Sequence, residues 1–308
     1  MTTSSPPLQW CIGLVGYGEV GRILAEDLRA RGVPRLIAYD VKLGGAEDRP
    51  LCEHAERHGV ELAASHAAVA QAADFLISAV TAAQTVPAAQ ACAPALRRDA
   101  WFLDLNSAAP GAKRRAAAAI DAAGGAYVEG AVMTSLPPHR LRVPLLLGGA
   151  RAAELQPQLA ELGFNASVAS DTLGVASATK MCRSVIIKGL EAMIIESLTA
   201  ARAHGVESQV LASLAETFPG IDWEQQATYF FQRVIQHGRR RAEEMREVAN
   251  TVDEIGLTPW SASGTAERQA WVADLADRGE LGDRRDPTFA RSADWRIEAD
   301  RILRSLKR

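Results

Sequence analysis

The sequence predicts an α/β protein, in which a doubly wound, mainly parallel sheet forms the N-terminal domain and a long helix leads into an all-helical C-terminal domain. Three observations support this class. Short apolar runs alternate with alanine-rich helical stretches, a glycine-rich turn follows the first apolar run, and no convincing strand follows residue 172. We therefore place the domain boundary between residues 1–172 and residues 173–308.

The composition excludes several classes of protein. The chain has 308 residues, of which 48% are hydrophobic, so it has enough apolar mass for two modest domains. A net charge of -3 with no basic half argues against nucleic acid as a partner. The most apolar run contains Lys188 and Glu191, so we expect no membrane span.

The cysteines and the first residues bear on the compartment. The four cysteines have no zinc-binding spacing, so we expect reduced thiols, no bound metal and a cytoplasmic protein. Residues 1–8 have neither a basic segment nor an apolar one, so we expect a loose tail rather than a signal peptide.

The first strand, residues 10–15, runs directly into the sequence G-Y-G-E-V-G and then into a helix. A G-x-G-x-x-G pattern indicates dinucleotide binding when it has this strand, turn and helix context. Gly16 permits the tight turn, Gly18 lets a pyrophosphate approach the helix N-terminus, and Gly21 allows close packing of helix on strand. We therefore predict a Rossmann domain whose nucleotide lies on Gly16, Tyr17, Gly18, Glu19, Val20 and Gly21.

The second strand ends at Asp40, 19 residues after Gly21. An acidic residue at this place accepts hydrogen bonds from the ribose 2′-hydroxyl and repels a 2′-phosphate, which favours NAD over NADP. Lys42 and Arg49 lie close enough in sequence to attract a 2′-phosphate, so NADP remains the alternative. Asp40 could also be an ordinary turn residue at a strand end.

Further strands and helices continue the alternation. The predicted helices cover residues 51–58, 67–73, 87–96 and 110–123, and the predicted strands cover residues 60–63, 75–80 and 101–105. Ligands of such sheets lie at the carboxyl ends of the strands. Those ends make Val80, Thr81, Asn106 and Ser107 candidates for the surroundings of a nicotinamide, although small polar residues after a strand are also common helix caps.

From Gly124 onward, closely spaced strands extend the sheet. The predicted elements are strands at 126–132, 142–149 and 165–170, and a helix at 151–161. A loop with two prolines, residues 133–140, separates the first two strands and should hold a fixed shape.

A single long helix is predicted over residues 170–205, with Lys180 near its start. About thirty residues would span roughly 45 Å. Ser184 and Glu191 share the face of Lys180. The lysine has two interpretations: its stem could lie along apolar surface while its ammonium holds a carbonyl or carboxylate, or it could be a general acid/base.

The glycine turn, the Rossmann domain and a helix that opens with G-V-A-S-A-T-K together resemble the β-hydroxyacid dehydrogenase superfamily, which includes 3-hydroxyisobutyrate and 6-phosphogluconate dehydrogenases. In that family the helix carries G-x-G-x-x-x-K-x-x-x-N, and its lysine is the catalytic acid/base. Gly174 and Lys180 match this pattern, whereas Ala176 and Ser184 replace the second glycine and the asparagine. The resemblance implies that Lys180 is catalytic and that Ser107 and Ser184 orient the substrate.

Three departures from the family pattern concern the substrate. The sequence E-G-A-V-M-T-S stands where the family has D-A-P-V-S-G-G, a loop that grips a carboxylate, so Met133, Thr134 and Ser135 become the expected substrate-binding residues. A glutamate pair, Glu243 and Glu244, replaces the family's later K-D pair. Isoleucine stands at 187, where 6-phosphogluconate dehydrogenase has a second catalytic acid. These differences resemble a divergent branch and argue against 6-phosphogluconate as the substrate.

The function that the resemblance implies is hydride transfer between NAD and a small hydroxyacid or a related alcohol or carbonyl compound, with Lys180 as the acid/base. Two alternatives stay open. Imine reductases of this superfamily typically replace the helix lysine, so Lys180 counts against reduction of a C=N bond. The altered loop at residues 133–135 also leaves room for a nucleotide-binding protein without turnover.

The C-terminal domain offers one candidate for an anion site. We expect Arg239, Arg240 and Arg241 to form a solvated helix face paired with Glu243 and Glu244. Arg240 is the alternative candidate for contact with a substrate anion.

The long helix has apolar residues on several faces, more than the chain after it can cover. We therefore expect a homodimer in which a second copy covers this helix and the partner's C-terminal part reaches the site. The charged tail after Arg278 should be ordered on a neighbour or else mobile. Four aromatic residues should belong to the core or to the interface: Trp223, Tyr229, Phe230 and Phe231.

Overall fold

The computed structural model describes residues 6–46 and 48–307, and the chain divides into two compact units, Met1–Met181 and Cys182–Arg308. This division falls inside the long helix, whereas sequence reasoning placed the boundary before it. The N-terminal tail predicted to be loose lies mostly on residues 1–5, outside the described residues. Pro7–Gln9 forms a short 3₁₀ helix. No helix within the described ranges has the length and apolarity that a membrane span needs.

The first unit is built on an eight-stranded sheet. Its strands are β1 Cys11–Val15, β2 Arg35–Tyr39, β3 Glu61–Leu62, β4 Phe75–Ser78, β5 Trp101–Asp104, β6 Ala126–Val132, β7 Leu145–Gly148 and β8 Ala166–Ser170. The strand order is β3-β2-β1-β4-β5-β6-β7-β8, and only β6 and β7 pair antiparallel. This arrangement is the Rossmann order with two added strands, and it confirms the predicted fold class.

Helices cover both faces of this sheet. They are α1 Glu19–Ala30, α2 Arg49–His58, α3 His66–Ala72, α4 Thr85–Cys92, α5 Pro110–Ala122, α6 Leu136–His139 and α7 Ala152–Glu161. Strand β1 shows why two layers are needed: Ile12 and Leu14 pack in one apolar cluster, whereas Cys11 and Val15 pack in another. Alternate side chains of a strand point to opposite faces, so a strand that is apolar throughout must be covered twice.

The described part of the second unit is all helical, as the sequence predicted. The long helix α8 covers Val175–His204, and it is followed by α9 Glu207–Thr217, α10 Trp223–Asp253, α11 Trp260–Asp277 and α12 Trp295–Ser305. The start of α8 was predicted five residues too early, because Ser170 still belongs to β8.

The charged tail after Arg278 differs from its prediction. Its described part is not left without structure, because it forms α12 and buries Trp295, Ala299 and Ile302 in the core of its own unit. Contact of this segment with a neighbour stays a prediction. These side chains recur at i, i+4 and i+7, which is the spacing of one helix face. Trp223, Phe230 and Phe231 lie in the same core, whereas Tyr229 is exposed.

Two of the three consecutive arginines of α10, Arg239 and Arg240, are exposed as predicted, whereas Arg241 is not. Arg241 is buried and makes a bidentate ion pair with Glu191 of α8. Arg239 binds Asp274 and Asp277 of α11, at 2.7 and 2.6 Å. Arg240 alone keeps a predicted i,i+4 pair, with Glu244 at 3.0 Å. The predicted pairing failed for Arg239 and Arg241 because α11 and α8 supply their carboxylates, and the predicted exposure failed for Arg241 alone.

Candidate active site

The turn between β1 and α1 can be built only with glycine at two of its positions. Gly16 has φ +93, and a Cβ there would overlap the carbonyl group of Ala79. A Cβ on Gly21 would overlap the carbonyl oxygen of Gly16. Gly18, in contrast, has open space around its Cβ position and caps the N-terminus of α1. The turn therefore presents free backbone N–H groups at a helix start, as an anion site requires.

Asp40 lies beside this turn, at the end of β2. Its Oδ2 accepts a hydrogen bond from the Tyr17 N–H at 2.8 Å, and its Oδ1 accepts one from the Lys42 N–H at 3.0 Å. The Tyr17 side chain points away into the core, where its hydroxyl lies 2.8 Å from His54 Nδ1. Burial raises the pKa of Tyr17 to about 12. Tyr17 therefore takes part in the turn through its backbone, whereas Glu19 and Val20 form the first turn of α1.

A second part of the site lies where β4 and β5 end. Asn106 Oδ1 accepts a hydrogen bond from the Val80 N–H at 2.7 Å, and Asn106 Nδ2 donates one to Ser78 Oγ at 3.0 Å. The buried amide thus ties the two strand ends together. Thr81 follows Val80 and is exposed. The structure accordingly brings Val80 and Asn106 together, as their positions after adjacent strands predicted.

A buried ion pair that sequence reasoning missed supports this strand end. Lys113 Nζ lies 2.8 Å from Asp104 Oδ1 and donates to the Asp104 carbonyl oxygen at 2.9 Å. The Tyr127 hydroxyl donates to Asp104 Oδ2 at 2.6 Å, and the Asn106 N–H donates to Asp104 Oδ1 at 2.9 Å. Burial, and then the charge of Asp104, raises the pKa of Tyr127. The signal in the sequence was Asp104 itself, a carboxylate at the end of an apolar strand that needs a partner when buried.

Lys180 and Ser107 meet although they are 73 residues apart in the chain. Lys180 Nζ donates to Ser107 Oγ over 2.6 Å. Both side chains are partly buried, so neither is sealed from solvent. The structure thus joins two of the three predicted catalytic residues at the carboxyl end of β5. The third, Ser184, lies one turn further along α8, in the second unit, and is buried.

Glu129 sets the start of the lysine helix, and sequence reasoning did not select it. Its Oε1 accepts hydrogen bonds from the N–H groups of Gly174 and Ala176, at 2.7 and 3.0 Å. Its Oε2 accepts one from the Ser177 hydroxyl at 2.7 Å. The side chain is 0% exposed, so its charge is balanced by the donors and dipole of a helix N-terminus. The sequence did contain a signal for this role, because a glutamate inside the apolar strand A-Y-V-E-G-A-V must be buried and therefore needs hydrogen-bond donors.

The predicted substrate-binding residues belong to different units. Met133 follows β6, and its N–H donates to the Pro144 carbonyl oxygen at 3.0 Å. Thr134 is exposed, and Ser135 precedes α6. Arg240 lies on α10 in the second unit. Contact of these residues with a substrate stays a prediction.

The second unit contains a strongly charged region between α8 and α10. Lys188 donates to Glu244 at 2.6 Å, and burial lowers the pKa of Lys188. Burial, together with the nearby charges of Arg233, Arg240 and Arg241, lowers the pKa of His237 to about 4. His237 is therefore neutral at pH 7 and lies in a positive field.

Comparison with known proteins matches both units to families. Residues 11–153 match the NAD binding domain of 6-phosphogluconate dehydrogenase, and residues 201–272 match a domain of unknown function, DUF1932. The mitochondrial 3-hydroxyisobutyrate dehydrogenase of Mus musculus is 22% identical over 219 residues, which are 69% of this chain and 63% of the mouse protein. The match thus spans less than two thirds of that relative.

Two solved structures are similar over most of the chain. A conserved hypothetical protein from Sinorhizobium meliloti 1021 is 38% identical, and the match covers 94% of this chain and 96% of that one with a TM-score of 0.74. The conserved protein MTH1747, of unknown function and described as structurally similar to 3-hydroxyacid dehydrogenases, is 29% identical. That match covers 86% of this chain and 98% of the other with a TM-score of 0.67.

Proposed function

This chain belongs to the β-hydroxyacid dehydrogenase superfamily, and from that membership we propose an NAD-dependent dehydrogenase or reductase for a small hydroxyacid or a related alcohol or carbonyl compound. One observation carries the proposal: Lys180 Nζ lies 2.6 Å from Ser107 Oγ, in the unit that holds the glycine turn. An amine and a hydroxyl in direct contact, both accessible, can exchange a proton with a substrate hydroxyl.

The residues of the turn fit a dinucleotide. Gly18 leaves space for a pyrophosphate, and the first N–H groups of α1 supply the donors that it needs. Asp40 is fixed by two backbone N–H groups, and a carboxylate accepts more hydrogen bonds than these two, so lone pairs remain for ribose hydroxyls. When bound, the nicotinamide accepts or supplies the hydride.

Lys180 would move the proton that accompanies the hydride. In the direction of oxidation, its neutral amine takes the proton of the substrate hydroxyl; in the direction of reduction, its ammonium returns that proton to the developing alkoxide. Ser107 restrains Nζ and can bond the same substrate oxygen. Asn106 holds the strand end from which Ser107 projects, so it would position the pair.

The charge of the second unit supports an acid as the substrate. Arg239 and Arg240 are 52% and 56% exposed, but Arg239 is held by two aspartates whereas Arg240 pairs with one glutamate. In the same region, burial and then the charges of three arginines lower the pKa of His237. A positive field of this kind attracts a carboxylate or a phosphate group. We therefore propose that Arg240 contacts the substrate anion, and that Met133, Thr134, Ser135 and Ser184 shape the rest of the substrate site.

Two other functions are weaker. A protonated iminium would lie beside the Lys180 cation, so the lysine disfavours reduction of a C=N bond. A binding protein without turnover would have no use for the contact between Lys180 and Ser107. An assay with several substrate classes separates the three functions: a dehydrogenase turns over a hydroxyacid, an imine reductase turns over an imine, and a binding protein turns over neither.

The test is a panel of β-hydroxyacids, simple alcohols and cyclic imines with NAD and with NADP, followed through the absorbance of the reduced nicotinamide. We expect turnover of a hydroxyacid, and Lys180→Ala should lower kcat by about 10² to 10⁴ while cofactor binding persists, because general acid/base catalysis contributes that much. Arg183→Ala changes an exposed charge on the same helix and serves as the control. Near-normal turnover by Lys180→Ala, or turnover of imines only, would contradict the proposal.

A further inference from the structure

A cluster of metal-ligating side chains lies behind the glycine turn, on the first unit. It consists of Glu26 on α1 and of His54 and His58, one turn apart on α2, and one ligand atom from each residue lies within 4.8 Å of the others. Sequence reasoning predicted no metal because the cysteines have neither a C-x-x-C spacing nor a histidine at a zinc-binding spacing. These three side chains come together only when α1 and α2 pack side by side.

The geometry of the cluster suits a small divalent ion. His54 Nε2 and Glu26 Oε1 are 3.0 Å apart. Neighbouring ligands of a tetrahedral zinc ion lie about 3.3–3.5 Å apart, as bonds of about 2.0–2.2 Å require. The two atoms would need to separate by only a few tenths of an ångström. The His58 ring stacks on the His54 ring with centroids 4.4 Å apart, so a rotation of the more accessible His58 could direct a nitrogen to the same point.

The surroundings resemble the outer shell of a metal site. A metal-binding histidine commonly donates its second ring N–H to an oxygen, and His54 Nδ1 lies 2.8 Å from the Tyr17 hydroxyl. The second oxygen of Glu26 accepts a hydrogen bond from Arg140 at 2.6 Å, which fixes the carboxylate. Arg140 also pairs with Asp27 at 2.7 Å. The carboxylate of Asp27 therefore offsets the positive charge that Arg140 places near the cluster.

We propose that Glu26, His54 and His58 bind one zinc-class divalent ion per chain, with a water molecule as the fourth ligand. Two imidazoles and one carboxylate are donors that zinc prefers. Nε2 must be unprotonated to act as a ligand, so on binding the single proton of the neutral His54 ring moves from Nε2 to Nδ1, where it is directed at the Tyr17 oxygen. The site lies behind Tyr17 and therefore plays no part in hydride transfer. The bound ion would hold α1 and α2 together and, through the contact of His54 with Tyr17, would also hold the glycine turn in place.

The test is equilibrium dialysis of the untagged full-length protein against zinc chloride after treatment with a chelator. We expect saturable binding of one ion per chain. His58→Gln should weaken the affinity more than tenfold, and Tyr17→Phe should weaken it by about 10 to 100-fold, as removal of an outer-shell partner typically does. His58 is only partly buried, so its variant should fold, which circular dichroism will check.

Cys52→Ser provides the matched control, because Cys52 is an exposed soft ligand on the same helix and outside the cluster. Its affinity for zinc should equal that of the unchanged protein. The proposal is overturned if the unchanged protein shows no saturable binding, or if His58→Gln binds zinc as tightly as the unchanged protein does.

Discussion

At the scale of single residues, we propose that Asp40 sets the preference of the turn for NAD over NADP. Its carboxylate is held by the Tyr17 and Lys42 N–H groups and therefore keeps one orientation beside the turn. A fixed negative charge at this place repels the 2′-phosphate of NADP, whereas the ribose hydroxyl of NAD can donate to it. Asp40 is thus a part of the turn, and we predict that it also distinguishes the two cofactors.

We predict that the unchanged protein binds NAD more tightly than NADP and that Asp40→Ala narrows this difference by about tenfold, which corresponds to about 1.4 kcal/mol. The physical reason is the loss of like-charge repulsion. Titration of each cofactor by calorimetry measures the two dissociation constants.

A second variant separates charge from geometry in this prediction. Asp40→Asn keeps an acceptor oxygen for the Tyr17 N–H but carries no charge. It should therefore narrow the difference between the affinities for NAD and NADP as much as Asp40→Ala does. It should also bind NAD more tightly than Asp40→Ala. A preference of the unchanged protein for NADP would show that Lys42 or Arg49 outweighs Asp40.

At the scale of elements, the start of α8 controls the position of Lys180. Glu129 binds Gly174, Ala176 and Ser177 and so fixes the first turn of the helix. Lys180 follows one turn after Ala176, and its Nζ reaches Ser107. The neighbouring strand leaves room for this carboxylate only because residue 148 is glycine, since a Cβ there would overlap Glu129. A strand residue thus determines where a helix begins.

We predict that Glu129→Gln lowers kcat while the dissociation constant for NAD stays unchanged. The amide NH₂ faces N–H donors and leaves at least one of them unsatisfied, so the helix start shifts and the free energy of unfolding falls by about 1–3 kcal/mol. Steady-state kinetics, cofactor titration and urea unfolding provide the three measurements.

Two further variants make this prediction specific. Gly148→Ala displaces the same carboxylate without removing it and should also lower kcat. Glu154→Gln removes an exposed carboxylate of α7 and should change stability by no more than about 1 kcal/mol. If Glu129→Gln retains full kcat, Glu129 does not position Lys180.

Local patterns predicted those parts of the site that depend on neighbours in sequence. Gly16 and Asp40 follow from strand, turn and helix spacing, and Lys180 from its place at the start of an apolar helix. Glu129 and Lys113 could not be assigned, because their roles depend on strands and helices distant in the chain. The same reason explains Arg241, whose carboxylate partner lies on another helix. The helices of the C-terminal part were predictable from their periodicity, including α12, whose apolar face was overlooked among its charges.

At the scale of the whole molecule, the second unit exposes apolar side chains along one helix face. Ile186 and Met193 are one heptad apart on α8 and are 62% and 60% exposed. A second group of exposed apolar side chains, Ile255, Leu257 and Trp260, follows α10, and Trp260 is 82% exposed. Isolated exposed apolar residues are common, but aligned ones on a long helix are typical of an interface.

We predict a homodimer in which two copies of α8 cover each other. Light scattering at micromolar concentration should give at least twice the chain mass of 33.0 kDa. The double substitution Ile186→Lys and Met193→Lys places charges in the interface and should give monomers.

Trp260→Ser tests which of the two exposed groups forms the dimer interface. The variant should remain a dimer if α8 forms the interface. A fully active monomer of the unchanged protein would refute the dimer and, with it, any contribution of a partner's C-terminal helices to the site.

The contrast between Gly16, Gly21 and the residues after Asp40 has an evolutionary consequence. Side chains at the two glycines would overlap backbone atoms, which cannot move aside without rebuilding the turn. Mutations there would be removed by selection. Val41 and Lys42 are exposed, and exchanges at such positions usually change stability by less than about 0.5 kcal/mol. Descendant proteins could therefore shift the proposed preference between NAD and NADP through single substitutions at residues 41 and 42 without passing through an unfolded ancestor.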